Sequence, residues 1–281
     1  MVGKGICPSH YYIKEKKRAA MNQFERTYAN QQDAFSLLYY HLAQSVCQKL
    51  GPDEGKTVVR RALEETGTAL GTKFRNLHTE QELNTNLTTL FNPGYGIPRD
   101  PRVWDCDQEW YEESRIWEVY TCPMAQLWEQ QGPEGPALGA LYCACYYPAL
   151  LKAYTQGLAS IELSHCLASG DDCCHLAAAL PSADMDGQQK WACFGHKDGP
   201  EDKDFQPTDF SEYICSQMLA FTKALCEAGH TDAVTRGLKA FAQALTEEQR
   251  IDLPLPDGEE IPWPSQALQQ LFTDCVLTET L

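Results

Sequence analysis

The sequence predicts an α+β fold made of N-terminal helices, a small antiparallel sheet with a β-hairpin, and C-terminal helices. Three observations predict it. Apolar residues recur at helical spacing over 31–76 and again over 210–245. A β-prone run from Arg115 to Thr121 stops at Cys122-Pro123, where proline forbids further ladder donation. Two more strand-like runs, 157–168 and 173–180, flank the turn residues Ser169-Gly170-Asp171-Asp172 and read as a hairpin.

Residues 1–34 form an N-terminal arm, with its basic cluster at Lys14, Lys16, Lys17 and Arg18 reading as a solvated face or docking arm. Residues 35–180 are the expected core. One helical stripe runs through Ala34, Leu37, Leu38, His41, Leu42 and Ser45. Gly51-Pro52-Asp53 breaks it, with proline at a first helical position. A second stripe runs from Val58 through Leu63 and Leu70 to Phe74. On that helix Gly67 and Gly71, four apart, permit close approach of another backbone. The Pro-, Gly- and Asp-rich stretch 92–107 reads as a loop, either a cover for a site or a domain join. Met124 to Gln131 reads as a short helix and Gly135 to Tyr154 as a buried one. Residues 181–209 are polar and acidic, a linker or long loop. Residues 210–281 supply two helices, 210–229 and 231–245, and then a Pro-rich tail with one short helix near Ala267 to Phe272.

The 281 residues carry 23 Lys+Arg against 39 Asp+Glu, a formal charge of −16. Hydrophobic residues at 43% suffice for a core. So acidic a chain argues against nucleic-acid binding, which needs clustered cations, and against docking on an anionic membrane. The uncharged run Ala137 to Leu151 is shorter than the ~20 residues of a membrane span. No apolar segment of the secretory type opens the sequence. The expectation is a soluble, cytoplasmic protein acting on a small molecule, with a homodimer as the assembly to test. Its thirteen cysteines are then expected to stay reduced. Glycine-rich dinucleotide and phosphate loops, the His-Glu-x-x-His helix and the Gly-x-Ser-x-Gly elbow are all absent, which leaves nucleotide-dependent and common serine-hydrolase chemistry unsupported.

Unusual chemistry concentrates in the middle. Six of the thirteen cysteines lie between 122 and 175, beside His165, His175, Glu162, Asp171 and Asp172. Three readings compete. In the first, a thiolate attacks an electrophilic amidine or acyl carbon. Cys122 suits this, because it sits where a strand stops and Pro123 begins a helix whose free N–H groups would face it. Asp171 or Asp172 would orient a histidine or hold a substrate amine. In the second, Cys143, Cys145, Cys166 and Cys174 bind zinc, although Cys143 and Cys145 on one helix point about 200° apart. In the third the thiols are core filling, which must hold for at least one of Cys143 and Cys145. Cys7, Cys47, Cys106, Cys193, Cys215, Cys226 and Cys275 read as packing or surface thiols. Strand parity puts Cys166 with Glu162 and Ser164 on one face and His165 on the other. It puts Cys174 opposite Cys173 and His175. Cys174, Cys166 and Glu162 then share a face if the hairpin register agrees. Trp104, Trp110, Trp117 and Trp128 read as core or as the wall of a pocket.

Three segments carry a family resemblance: Trp117-Glu-Val-Tyr-Thr-Cys122-Pro-Met-Ala, Gly139-Ala-Leu-Tyr-Cys143-Ala-Cys145, and Gly170-Asp171-Asp172-Cys173-Cys174-His175-Leu176. Together they resemble the L-2-amino-thiazoline-4-carboxylic acid hydrolase family over roughly 35–180. The hairpin is also similar to small-molecule-binding domains of the vinyl-reductase type, some of which hold zinc. The doubled cysteines are a departure, and the Gly-Asp-x-x-Cys spacing favours Cys174 over Cys173. The resemblance implies hydrolytic opening of a cyclic isothiourea to an N-carbamoyl amino acid, with a Cys122 thiolate or an activated water as the attacking group. It nominates Cys122, Cys174, Asp171, Asp172 and His175 as catalytic, and Trp117, Cys143, Cys145, Glu162 and His165 as substrate-binding. No cofactor is expected unless zinc occupies the cysteines. Two alternatives stand beside it: another ring-forming or ring-breaking step in a biosynthetic pathway, and a non-catalytic zinc-stabilised binding domain.

Overall fold

Asn22 fixes where the first helix begins. Its side chain accepts a 2.9 Å hydrogen bond from the Glu25 amide, and the Glu25 carboxylate accepts one of 2.8 Å from the Asn22 amide, a reciprocal capping box. The computed structural model describes residues 21–92, 96–98, 100–103, 106–110, 114–179 and 209–253. Helix α1 (Gln23–Leu50) ends at Gly51, whose φ of +87° only glycine adopts without strain, and Pro52 opens α2 (Pro52–Glu80) as the sequence predicts. After the single turn α3 (Leu87–Leu90) come strands β1 (Cys106–Trp110) and β2 (Ser114–Val119). Next are α4 (Pro123–Glu129), α5 (Gly135–Tyr154), β3 (Ser160–His165) and β4 (Cys174–Ala179). Then follow α6 (Phe210–Glu227), α7 (Thr231–Ala244) and α8 (Glu247–Ile251). The fold is α+β, as expected.

Helix α5 is the hub. Tyr142, Tyr146, Leu150, Leu151 and Tyr154 on it are all buried. The paired glycines of α2 set its distance from α5. A Cβ on Gly67 would lie 2.4 Å from the Tyr146 carbonyl oxygen, and one on Gly71 2.3 Å from that of Leu150. From α1, the Tyr39 hydroxyl donates to the Leu138 carbonyl at 2.6 Å, and Trp128 Nε1 of α4 donates to the Ser36 carbonyl at 3.0 Å. These bonds satisfy the polar ends of aromatic side chains that otherwise fill the core.

The sheet has four strands in the order β1-β2-β4-β3, and every neighbouring pair is antiparallel. Strand β1 falls partly within the stretch expected to be loop. Asp107 and Glu109 are poor strand formers, but on an edge strand they face water and block further pairing. Trp117 stands opposite Leu176, Val119 opposite Cys174, and Leu163 opposite Leu176. The register shifts between Leu163 and His165. The strands are shorter than expected. Gly157, at φ +78°, closes the end of α5 through its amide bond to the Lys152 carbonyl, and Leu167–Ser169 form a 3₁₀ turn ending at Gly170 with φ +89°.

Among the described residues no helix is long and apolar enough to cross a membrane. The basic cluster at 14–18, Trp104, the stretch 181–208 and the tail from 254, with its expected helix at Ala267 to Phe272, lie outside the described residues.

Candidate active site

One face of the sheet carries Trp117, Val119, Leu163, Cys174 and Leu176. With α4 and α5 this face encloses a cavity of about 390 Å³. The helices add Cys122, Met124, Trp128, Tyr142, Cys143 and Tyr147 to the wall. Ile97, Pro98, Asp100 and Val103 close one side, so part of the stretch read as a loop does border the cavity. The lining is mostly apolar and aromatic with a few convergent polar groups, the usual make-up of a small-molecule site.

Three thiols reach the wall: Cys122, Cys143 and Cys174. Cys122 is the N-cap residue of α4. Burial pushes its thiol up, the backbone N–H groups of Ala125 and Met124 oppose that, and the charge of nearby Asp100 raises it further. Cys166 sits behind the other two, buried at 6% exposure. It takes hydrogen bonds from Cys143 and Cys174 and is assisted by the N–H groups of Ala168 and Ser169. Together these pull its thiol far below the ordinary value. Cys143 is pushed up by its hydrogen bonds to Cys166 and Cys174 and by burial. At Cys174 the bond from Cys143 pulls down, but its own bond to Cys166, burial and the Cys166 charge outweigh it and raise the thiol to about 12. The Leu167 amide also donates to Cys174 Sγ at 3.2 Å. The three thiols thus hydrogen-bond to one another, with Cys166 as the acceptor.

The sequence placed other groups here that lie elsewhere. Cys145 points from α5 toward α2, where Arg60 Nη1 approaches its sulfur at 3.6 Å, as the opposed directions of Cys143 and Cys145 require. Glu162 is exposed and stands opposite Ala177, on the sheet face away from the cavity. It was expected to share a face with Cys166 and Cys174. The bulge at Ser164 adds one residue to β3 and reverses the parity, so Leu163 and Cys166 turn inward while Glu162, Ser164 and His165 stay exposed. His175 also faces away from the cavity. Ser164 Oγ lies 2.7 Å from His175 Nδ1 and 3.1 Å from His165 Nδ1, outside the cavity. Asp171 and Asp172 are exposed, and Asp171 Oδ2 accepts a 2.7 Å bond from the Cys166 amide. None of Glu162, His165, Asp171, Asp172 and His175 lines the cavity. Of the four cysteines considered for zinc, Cys143, Cys166 and Cys174 hydrogen-bond to one another, and Cys145 lies apart. Among the described residues no group of three or more His, Cys, Asp or Glu is arranged to hold a metal ion.

The structure adds residues the sequence reading did not nominate. Asp100 lines the cavity and is 7% exposed. Arg102 grips it, with Nε at 3.0 and 3.2 Å from its two oxygens and Nη2 at 2.6 Å. The same guanidinium reaches Asp33 of α1 at 3.0 Å and the Ala29 carbonyl at 3.2 Å. Opposite charges two residues apart in Asp100-Pro101-Arg102 were the available signal. Gln217 of α6 is 2% exposed. Its Nε2 donates to the Tyr146 hydroxyl at 2.6 Å and to that of Tyr142 at 3.2 Å. Between Ile214 and Met218, nothing in the sequence marked it.

An antiparallel sheet, a buried helix and a mostly apolar cavity with thiols on its wall define this α+β protein. The model of the L-2-amino-thiazoline-4-carboxylic acid hydrolase family matches residues 29–177, and the chain belongs to that family. The matched stretch contains Cys122, Cys143, Cys166 and Cys174. No curated protein and no solved structure matches the chain.

Proposed function

We propose that the protein is a hydrolase that opens a small cyclic amidine of the thiazoline type, with Cys122 as the attacking thiol. The observation that carries this reading is the Cys122 thiol on the wall of a mostly apolar cavity that Cys143 and Cys174 also line. The family's name supports the substrate class.

The Cys122 thiol gives its proton to the ring nitrogen of the neutral amidine, and its sulfur attacks the carbon of the amidinium so formed to give a tetrahedral centre. The ring C–S bond breaks, and its electron pair goes to the departing sulfur, which takes a proton from the adjacent nitrogen. An isothiourea remains on Cys122. Water adds to the same carbon, the bond to Cys122 breaks with its pair returning to that sulfur, and an N-carbamoyl product leaves. Trp117 and Leu176 flank the ring with apolar surface.

Intact-protein mass spectrometry during turnover of 2-aminothiazoline-4-carboxylate tests this. An adduct of one whole substrate mass, mapped to Cys122 and absent in C122A, is expected. Unchanged turnover in folded C122A overturns the reading.

A further inference from the structure

Tyr147 follows Cys143 by four residues on α5, so the two side chains stand on one face of that helix, and both line the cavity. Three tyrosines reach the wall: Tyr142, Tyr147 and Tyr213. The Tyr142 hydroxyl accepts from Gln217 Nε2 at 3.2 Å, and the Tyr213 hydroxyl lies 3.2 Å from that of Tyr146. The Tyr147 hydroxyl makes no hydrogen bond among the described residues, and unlike Gln217 Oε1 it is not sealed from solvent. Its ring stands edge-on to Tyr142 at 5.9 Å and 88° and to Tyr146 at 5.2 Å and 73°, which fixes where the O–H end points. Burial raises its phenol well above the ordinary value, and the neighbouring Tyr213, Cys143, Cys122 and Cys174 raise it further. A protonated, uncommitted hydroxyl therefore stands among the thiols of the wall.

We propose that Tyr147 is a catalytic residue whose hydroxyl relays the proton from nitrogen to the departing ring sulfur. This rests on the reading of the site as one that opens a thiazoline, and it names the group that moves the proton. The nitrogen and the sulfur are bonded to the same carbon, so a direct handover between them runs through a strained four-membered ring. A hydroxyl both accepts and donates, and one placed between the two atoms widens that ring to six members. The Tyr147 oxygen takes the proton from the nitrogen while its own proton passes to the sulfur. The C–S bond breaks with its electron pair on the sulfur, and the phenol ends as it began. A phenol held in its protonated form has that proton ready when the bond breaks.

Steady-state kinetics of the full chain and of Y147F test this, with 2-aminothiazoline-4-carboxylate and with its selenium analogue as substrates. Phenylalanine keeps the ring and its edge contacts and removes only the hydroxyl, and thermal melts confirm that the variant is folded. On the sulfur ring Y147F is expected to lose about 100-fold or more in kcat with KM little changed. A selenolate is a weaker base than a thiolate and departs without a proton, so on the selenium ring Y147F should run close to the parent chain. An unchanged kcat in folded Y147F, or an equal loss on both rings, overturns the proposal. A sulfur-dependent loss in Y147F with turnover that ignores Cys122 supports the relay and sinks only the nucleophile assignment. Turnover that needs Cys122 but not the Tyr147 hydroxyl sinks only the relay. A parent chain that opens neither ring overturns the functional reading and the relay with it.

Discussion

The Asp171 carboxylate accepts a 2.7 Å hydrogen bond from the amide of Cys166, and the Asp171 amide donates back to the Cys166 carbonyl at 3.3 Å. This reciprocal pair closes the turn between β3 and β4. Gly170 takes the left-handed conformation the turn needs, and the closed turn aims the Leu167 amide at Cys174 Sγ. The Gly-Asp pair therefore acts on the thiols through the backbone rather than by touching a ligand. D171A is expected to destabilise the fold by about 1–2 kcal/mol, with D171N milder because its amide oxygen still accepts. Chemical denaturation measures the loss. Alkylation of Cys174 should speed up in D171A, and unchanged stability and reactivity would refute the role.

The α2–α5 contact gives a second prediction. Gly67 and Gly71 lie against the carbonyls of Tyr146 and Leu150, which are backbone atoms and cannot swing aside. G67A and G71A should each destabilise by about 1–3 kcal/mol, the range for overpacking. Since Tyr142 and Cys143 ride on α5, the displaced helix should also weaken ligand binding. An alanine variant as stable as the parent would mean that the helices separate freely here.

Helical stripes, the Gly51-Pro52 break and a strand stopping ahead of Cys122-Pro123 were legible because each depends on local periodicity or on one residue's backbone preference. The opposed directions of Cys143 and Cys145 were legible for the same reason. Strand β1 was hidden because its acidic residues belong to an edge, and whether a strand is an edge is a property of the sheet rather than of the strand. The bulge at Ser164 was hidden too, since nothing local marks an extra residue, yet it decides whether Glu162 or Leu163 faces the cavity. Asp100 and Gln217 owe their significance to partners in distant elements, Asp33 and the tyrosines of α5.

Arg102 ties the loop beside the cavity to α1. Its side chain is 20% exposed, and its carboxylate partners Asp33 and Asp100 are 13% and 5% exposed. Burial pulls the guanidinium pKa down, and the two carboxylates more than restore it. R102M would remove the cation that both carboxylates share, so a loss of about 3–5 kcal/mol is expected, as for other broken buried pairs. Limited proteolysis should then cut first within 96–103. R102M with an intact melting temperature would show the cluster to be energetically idle.

Alkali should unfold this protein early. Cys122 and Cys143 are raised above 9.0, and Cys174 rises from 9.0 to about 12. Burial raises Tyr213 from 10.0 to about 12, against the bond from Tyr146. The unfolded chain releases these protons near the ordinary values while the folded chain holds them. Their stabilisation is therefore complete below about pH 9 and drains away toward pH 12. Cys166 runs the opposite way. Its depressed thiol stabilises the fold above 9.0 and loses that contribution as the pH falls toward its folded value, so it cannot rescue the alkaline limb. Melting temperature is expected to fall steeply above pH 9, and tyrosinate absorbance should rise together with unfolding rather than before it. Y213F removes one raised group and should flatten the decline. A melting temperature that stays level through the alkaline range, or tyrosinate forming freely in the folded protein, would contradict the sealed core of thiols and phenols on which the cavity is built.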